Sequence, residues 1–327
     1  GKRVMAETTP ILEVKHLKKY FPVAAGIVHA VDDVSFTIQK GKTLGIVGES
    51  GCGKSTLGRT VLHLQESTAG EIWFEGKNIT HVSRGELTAL RRKMQIIFQD
   101  PFSSLNPRMS LYQAIAEPLR IMTDAKEREI ELRVREIMDI VGLAERYVNT
   151  YPHELDGGRR QRIGIARALV MNPSFVVCDE PVSALDVSIQ AQILNLMRDI
   201  QDERKLTYIF VTHDLSVVKY ISDDVMVMYL GQMVEKAPTD ELFQYRLHPY
   251  TKALLSAVPL PDIDHQRKHI ELKGEITSPI NPKPGCRFAL RCPYATPTCF
   301  QADPPTQEVR PNHFVACYRA RELNGLD

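Results

Sequence analysis

Apolar and polar residues alternate along 11–20 and again along 28–38, and the apolar places favour β-branched side chains. A period of two sends one set of side chains to a core and the other to water, so both stretches read as antiparallel strands. The run 71–77 reads as a further strand with its turn, and 94–99 as a short one. Four other runs are apolar almost throughout: 43–47, 175–178, 207–211 and 225–229. Strands of that kind are buried on both faces, which is the habit of parallel sheets covered by helices. Helical spacing marks 111–121, 126–141, 160–171 and 188–203, with Asn172-Pro173 as a stop. Buried strands alternating with helices predict an α/β fold: a mostly parallel sheet, an antiparallel β subdomain from the first strands, and a helical subdomain over about 107–171. From Pro259 onward closely spaced prolines exclude long helices. A boundary is therefore expected near 258, separating a domain over 10–258 from an irregular extension over 259–327.

Between the apolar run at 43–47 and the helical start at Ser55 lies GESGCGKST, residues 48–56. It fills every place of the spacing G-x-x-x-x-G-K-[ST] in the strand, loop and helix context that the motif needs. Gly48, Gly51 and Gly53 let backbone wrap an anion without Cβ clashes. The amides of Glu49, Ser50 and Cys52, with the helix N-terminus, then point at phosphate oxygens. Lys54 supplies a charge for the β- and γ-phosphates, and Ser55, followed by Thr56, offers a hydroxyl to Mg²⁺. The sequence thus identifies a P-loop NTPase core.

Other strand ends carry matching chemistry. Asp179 and Glu180 follow the apolar run at 175–178, at the edge where open α/β sheets bind ligands. Asp179 is read as an Mg²⁺ ligand and Glu180 as the general base that activates water. His213 follows the run at 207–211 and is read as a γ-phosphate contact. Gln99 ends the run at 94–98; its uncharged amide suits orienting water or completing the Mg²⁺ shell.

Composition narrows the setting. The formal net charge is +1, which disfavours a nucleic-acid partner held by broad electrostatics. No apolar run approaches the roughly 20 residues that cross a bilayer, and the first residues do not form a signal peptide. A cytoplasmic location is expected, with any membrane role exerted through partners. Of six cysteines, Cys286, Cys292, Cys299 and Cys317 crowd the C-terminal region. In a cytosolic chain such a group suits a metal better than disulfides. The spacing lacks the short knuckle of most zinc sites, and four thiolates also hold [4Fe–4S] clusters, so spacing leaves iron–sulfur and zinc both open.

The order and spacing of these elements resemble an ATP-binding-cassette (ABC) ATPase subunit. In that likeness Tyr20 matches the aromatic that stacks on adenine, 48–56 Walker A and Gln99 the Q-loop. Leu155, Asp156, Gly157, Gly158 and Arg159 match the signature. Residues 175–180 match Walker B, Ser183, Ala184, Leu185 and Asp186 the D-loop, and His213 the switch histidine. The run His248-Pro249-Tyr250-Thr251 and the cysteine-rich tail resemble the dipeptide and oligopeptide importer ATPases. The resemblance implies ATP hydrolysis with Mg²⁺ at the cytoplasmic face of the membrane. It further implies a second ATPase subunit, two membrane-spanning permeases, an extracytoplasmic peptide-binding protein and a [4Fe–4S] cluster on the four cysteines. A soluble ABC protein, or a module that closes on ATP with little turnover, is the alternative.

One departure stands out. The family signature usually carries Ser where this chain has Asp156, and Gln where it has Arg159. In the paired arrangement that the resemblance implies, this signature faces the partner's γ-phosphate. Like charges about 4 Å apart at an effective dielectric of about 20 cost roughly 4 kcal/mol, on the order of a thousandfold in rate if fully felt. Arg159 and Arg160 offset part of it. Asp is also as good a helix N-cap as Ser. One reading makes the completed site weak and the partner a non-identical sister; the other makes Asp156 a cap only.

Overall fold

A computed structural model describes residues 9–100, 104–256 and 278–326. Among them the strands are β1 (Leu12–Val23), β2 (Gly26–Ile38), β3 (Thr43–Val47), β4 (Ala69–Phe74), β5 (Lys77–Asn78), β6 (Met94–Ile97), β7 (Phe175–Asp179), β8 (Thr207–Val211), β9 (Asp224–Tyr229), β10 (Gln232–Pro238), β11 (Gln307–Arg310) and β12 (His313–Val315). The helices are α1 (Lys54–Val61), α2 (Arg84–Lys93), α3 (Leu111–Met122), α4 (Glu127–Ile140), α5 (Gly157–Leu169), α6 (Val187–Arg204), α7 (Leu215–Ile221), α8 (Thr239–Gln244) and α9 (Pro249–Ser256). The chain gathers into two compact units: one from 1–38, 43–80 and 212–327, the other from 39–42 and 81–211.

In the first unit β1 and β2 form a long antiparallel hairpin, and β4 and β5 extend it in the order β2-β1-β4-β5. A second, mixed sheet begins with β3 parallel to β9; β10 then runs antiparallel to β9, β12 to β10 and β11 to β12. Every residue of β3 is buried, as its unbroken apolar run requires. The C-terminal extension is thus not irregular throughout, because it adds a two-stranded edge to β10. Short strands flanked by Pro and Asn carry too little periodicity to be seen in sequence. The edge is pinned by a fully buried pair, His313 Nε2 with Glu235 Oε1 at 2.7 Å. Glu235 also accepts the backbone N–H groups of Leu247 and His248, so its buried carboxylate is fully engaged.

The second unit is parallel sheet and helices. β7 lies between β6 and β8, parallel to both, and β7 and β8 are buried at all five positions each. Helix α3 keeps Pro118 inside it and starts with a Ser110–Gln113 capping box. Helix α2 escaped the sequence reading because none of its residues is buried. Without an apolar stripe the periodicity is silent; the Ser83–Glu86 capping box is the signal that marks it.

Candidate functional site

Tyr20, residues 48–56 and His213 lie in the first unit. Gln99, Asp179, Glu180, the signature and the D-loop lie in the second. In the first, β3 runs into the loop and α1 leaves it. Gly48, Gly51 and Gly53 all have positive φ, at 151, 76 and 99°. A Cβ on Gly48 would stand 2.2 Å from the Met228 carbonyl oxygen, and one on Gly53 1.9 Å from that of Ala30. Gly48 and Gly53 accept only glycine, on backbone and on space alike, whereas Gly51 favours it on backbone alone. The buried Lys54 ammonium donates to the carbonyls of Gly48 at 2.9 Å and Glu49 at 3.0 Å, and so lies within the loop's own curl. Cys52 is buried, its backbone oxygen accepts from Gly231 N–H, and burial raises its thiol pKa. Ser55 and Thr56 occupy the first turn of α1. His213 is exposed and precedes Asp214, whose carboxylate caps α7 through the N–H groups of Ser216 and Val217.

The loop is held from far along the chain. The Glu49 carboxylate is gripped by both terminal nitrogens of Arg291, at 2.9 and 3.2 Å. Its backbone N–H donates to the Tyr250 hydroxyl at 2.9 Å. Tyr20 stacks on His29 with ring centroids 3.9 Å apart and donates its hydroxyl to Asp32, which also contacts His29 Nδ1 and Arg287. Burial raises the Tyr20 pKa and its Asp32 partner raises it further. Burial acts to raise the Asp32 pKa, but the hydrogen bonds from Tyr20 and His29 and the Arg287 charge together hold it low. Sequence reasoning missed Asp32, His29, Arg287 and Arg291, and named Tyr250 only within the run 248–251, without a contact to the loop. No local pattern joins residues 201 to 255 positions apart.

In the second unit Asp179 is the buried last residue of β7. Glu180 turns off the strand with φ 50°, a left-handed conformation uncommon for a residue with a side chain and frequent at functional turns. Its N–H is tied to the Val211 carbonyl at 2.9 Å. Gln99 Nε2 reaches both Glu180 Oε2 at 3.2 Å and Ser183 Oγ at 3.3 Å, so three of the residues singled out in the sequence meet. Ala184 is exposed, and Asp186 caps α6 through Ile189 N–H.

Asp156 caps α5: one oxygen accepts Arg159 N–H at 2.8 Å, and the other pairs with the Arg159 guanidinium. Arg159 also lies over the Tyr147 ring. Leu155 is buried beside the cap. Gly157 and Gly158 pack against the D-loop side, where added Cβ atoms would meet Leu185 at 3.3 Å and Ile189 at 2.8 Å. A carboxylate engaged at both oxygens presents less than a full unit charge to a facing phosphate.

Cys286, Cys292, Cys299 and Cys317 all line one small cavity of about 20 Å³ with Phe288, Ala289 and His248. The sulfurs of Cys286, Cys292 and Cys317 accept backbone hydrogen bonds from Phe288, Tyr294 and Arg319, in each case two residues further on. Burial pushes the Cys286 thiol up to about 12 and raises the other two. As placed, no three His, Cys, Asp or Glu side chains among the described residues form a group that could hold a metal ion. The donors fit a thiophilic metal in kind and number, but they are not drawn to ligation distance.

An amide-lined glycine cradle at the head of a helix, on an α/β scaffold, defines a P-loop nucleotide-binding protein. A family model described as ABC transporter matches residues 31–183, and one described as oligopeptide/dipeptide transporter, C-terminal region, matches 234–299. The chain is 51% identical to the oligopeptide transport ATP-binding protein AppF of Bacillus subtilis, over 96% of this chain and 98% of that protein. It is 52% identical to OppF of the same organism, over 96% and 98%. Among solved structures, cbiO1 of Clostridium perfringens, part of the ABC transporter complex cbiONQ, superposes with a TM-score of 0.65 at 31% identity, covering 72% of this chain and 92% of that one. The ATP-binding cassette MJ0796, a dimer in a post-hydrolysis state with ADP and Pi, gives 0.64 at 28% identity, covering 70% and 98%. The chain belongs to the ATP-binding proteins of the ABC transporter family.

Proposed function

We propose that this chain is the ATP-hydrolysing subunit that powers import of dipeptides and oligopeptides across the cytoplasmic membrane. One observation carries the reading: an intact phosphate cradle at 48–56 in a chain that shares half its residues, over 96% of its length, with oligopeptide transport ATP-binding proteins. ATP is the substrate. Lys54 takes the β- and γ-phosphates, Tyr20 the adenine face and His213 the γ-phosphate. The hydroxyl of Ser55, the Asp179 carboxylate and the Gln99 amide are hard oxygen donors of the kind Mg²⁺ selects. When bound, Mg²⁺ neutralises charge on the phosphates. Glu180 accepts the proton of the attacking water, and Gln99 holds Glu180 in place until substrate arrives.

Among the described residues no helix is long and apolar enough to cross a membrane. Work on a membrane path then falls to partners: two permeases, an extracytoplasmic peptide-binding protein and a second ATPase subunit at the cytoplasmic face. Asp156 favours a non-identical sister, whose own signature completes this chain's site. The four cysteines take a [4Fe–4S] cluster, with zinc as the alternative. Their shared cavity brings the four donors together, and a bound metal would supply the charge that burial otherwise denies to thiolates.

Calorimetry with Mg·ATP tests the nucleotide reading: binding is expected for the native chain and lost in Lys54→Ala. Absence of binding, or binding indifferent to Lys54, overturns it. Co-purification of two permeases separates the transporter from a soluble ABC protein. A brown chromophore with iron in anaerobic preparations supports the cluster, whereas colourless protein with stoichiometric zinc replaces it.

A further inference from the structure

The seven residues from Cys286 to Cys292 carry more than two cysteines. Arg287 and Arg291 stand directly inside the pair, and both side chains are buried, at 6% and 8% exposure. Phe288 between them is also buried. It meets the rings of Tyr229, Tyr250 and His248 at centroid distances of 5.3, 5.4 and 5.8 Å. The segment is therefore fixed against the same cluster that places the Tyr250 hydroxyl under Glu49. From it the two arginines diverge. Arg291 reaches the Glu49 carboxylate in the phosphate loop and the Tyr229 hydroxyl. Arg287 reaches Asp32, which receives the Tyr20 hydroxyl, and also donates to the Leu230 carbonyl. The adjoining stretch follows the same direction: His29 N–H donates to Pro279, and Ile27 and Asn281 exchange hydrogen bonds at the start of β2.

A bidentate arginine on a carboxylate fixes angle as well as distance. Losing one partner costs far more in a buried pair than in a surface pair, because the other charge is left buried and uncompensated. Neither the Glu49 carboxylate nor Asp32 belongs to the phosphate-binding chemistry itself. Glu49 is a variable place in the loop motif, and Asp32 lies outside every motif. Their engagement by the cysteine segment has no purpose in holding a sheet edge, which β11 and β12 already do.

We propose that Arg287 and Arg291 are positioning residues for the nucleotide site: Arg291 sets the phosphate loop through Glu49, and Arg287 sets the adenine-facing Tyr20 through Asp32. The proposal rests on the reading of 48–56 and Tyr20 as a nucleotide site. It assigns the C-terminal extension a role in substrate affinity beside whatever the cysteines hold. The two arms act on different parts of one ligand, which a merely structural role does not do.

The test titrates the full-length chain with Mg·ATP and, separately, with Mg·tripolyphosphate, which lacks the base. Arg291→Gln is expected to weaken both ligands about tenfold, equivalent to about 1.4 kcal/mol. Arg287→Gln is expected to weaken ATP by a similar factor and leave tripolyphosphate within twofold. Arg291→Lys should recover part of the loss, because a single charge replaces a fork. Arg291→Gln combined with Glu49→Gln should be no worse than either alone, since one contact is removed twice. Metal content and thermal melting of each variant are read alongside. A native chain that binds no ATP overturns the nucleotide reading itself. Native binding that both arginine variants leave unchanged, or that both weaken equally for the two ligands in step with lost metal or lower melting, overturns the positioning roles alone.

Discussion

The phosphate loop at 48–56 takes its support from afar: Arg291 on Glu49 is 242 residues distant and Tyr250 is 201. The turn at 179–186 is held chiefly by its own neighbourhood. Ser183 bonds back to the Glu180 carbonyl, Asp186 caps the helix it begins, and one amide, Gln99, arrives from a neighbouring strand. The signature follows the second style, with Asp156 engaged three residues on by Arg159. Burial differs in the same sense. The Arg287 and Arg291 pairs are largely enclosed, whereas Asp156 and Arg159 remain 53% and 43% exposed. The comparison teaches that the turn at 179–186 is assembled from local rules that any similar sequence would satisfy. The nucleotide cradle is instead tied to a particular extension, and substitutions should spread further from it.

The largest effect is expected at Glu180, the proposed general base. Glu180→Gln in the assembled complex should lower turnover by about a hundredfold to ten-thousandfold, the usual worth of a general base. Mg·ATP affinity should be kept, because the cradle is untouched. Turnover that barely changes removes Glu180 from the reaction and the idea of an asymmetric pair with it.

A stability effect of comparable size is expected on the other side of the comparison. Phe288→Ala deletes a buried ring that packs on Tyr229, Tyr250 and His248, and large-to-small changes of this kind cost about 3–5 kcal/mol. Urea unfolding should show this loss in one cooperative transition if the extension and the cradle are a single stability unit. A separate early transition for the extension would show that the two are not coupled. Asp156→Ala should cost less, about 1 kcal/mol, for an N-cap lost. A loss several times larger would mean that the signature is not locally supported.

The same contrast explains what could be read in advance. Strands β1, β2, β7 and β8 announced themselves through period two or unbroken apolar runs, because sheet burial imposes those patterns directly. The loop at 48–56 was legible because each glycine answers a backbone demand, now visible as positive φ and as carbonyls within 2.5 Å of an imagined Cβ at Gly48 and Gly53. Asp156 as a cap was legible for the same local reason. Helix α2 was not, since it buries nothing. Nor was the role of His313. Its ring is spent on Glu235 and Glu241, 78 and 72 residues away, and separations of that size leave no pattern in sequence. Arg287 and Arg291 looked like ordinary charges in a tail, because an ion pair across 200 residues leaves no trace in spacing.

The smallest effect is also the most discriminating for the signature. Asp156→Ser with Arg159→Gln restores the residues usual in the family and exchanges one good cap for another, so stability should shift by less than about 0.5 kcal/mol. The consequence for turnover then depends only on how much negative charge Asp156 shows to the opposing phosphate. A bare carboxylate would have slowed that site about a thousandfold. Arg159 occupies one of its oxygens and the helix amide the other, so most of that field is cancelled where it arises. The double variant is therefore expected to raise the steady-state turnover of the assembled pair by only a few-fold. A gain near a thousandfold would mean that Arg159 swings away when the sites close. No gain would leave Asp156 as a helix cap alone, and the non-identical sister would lose its main support.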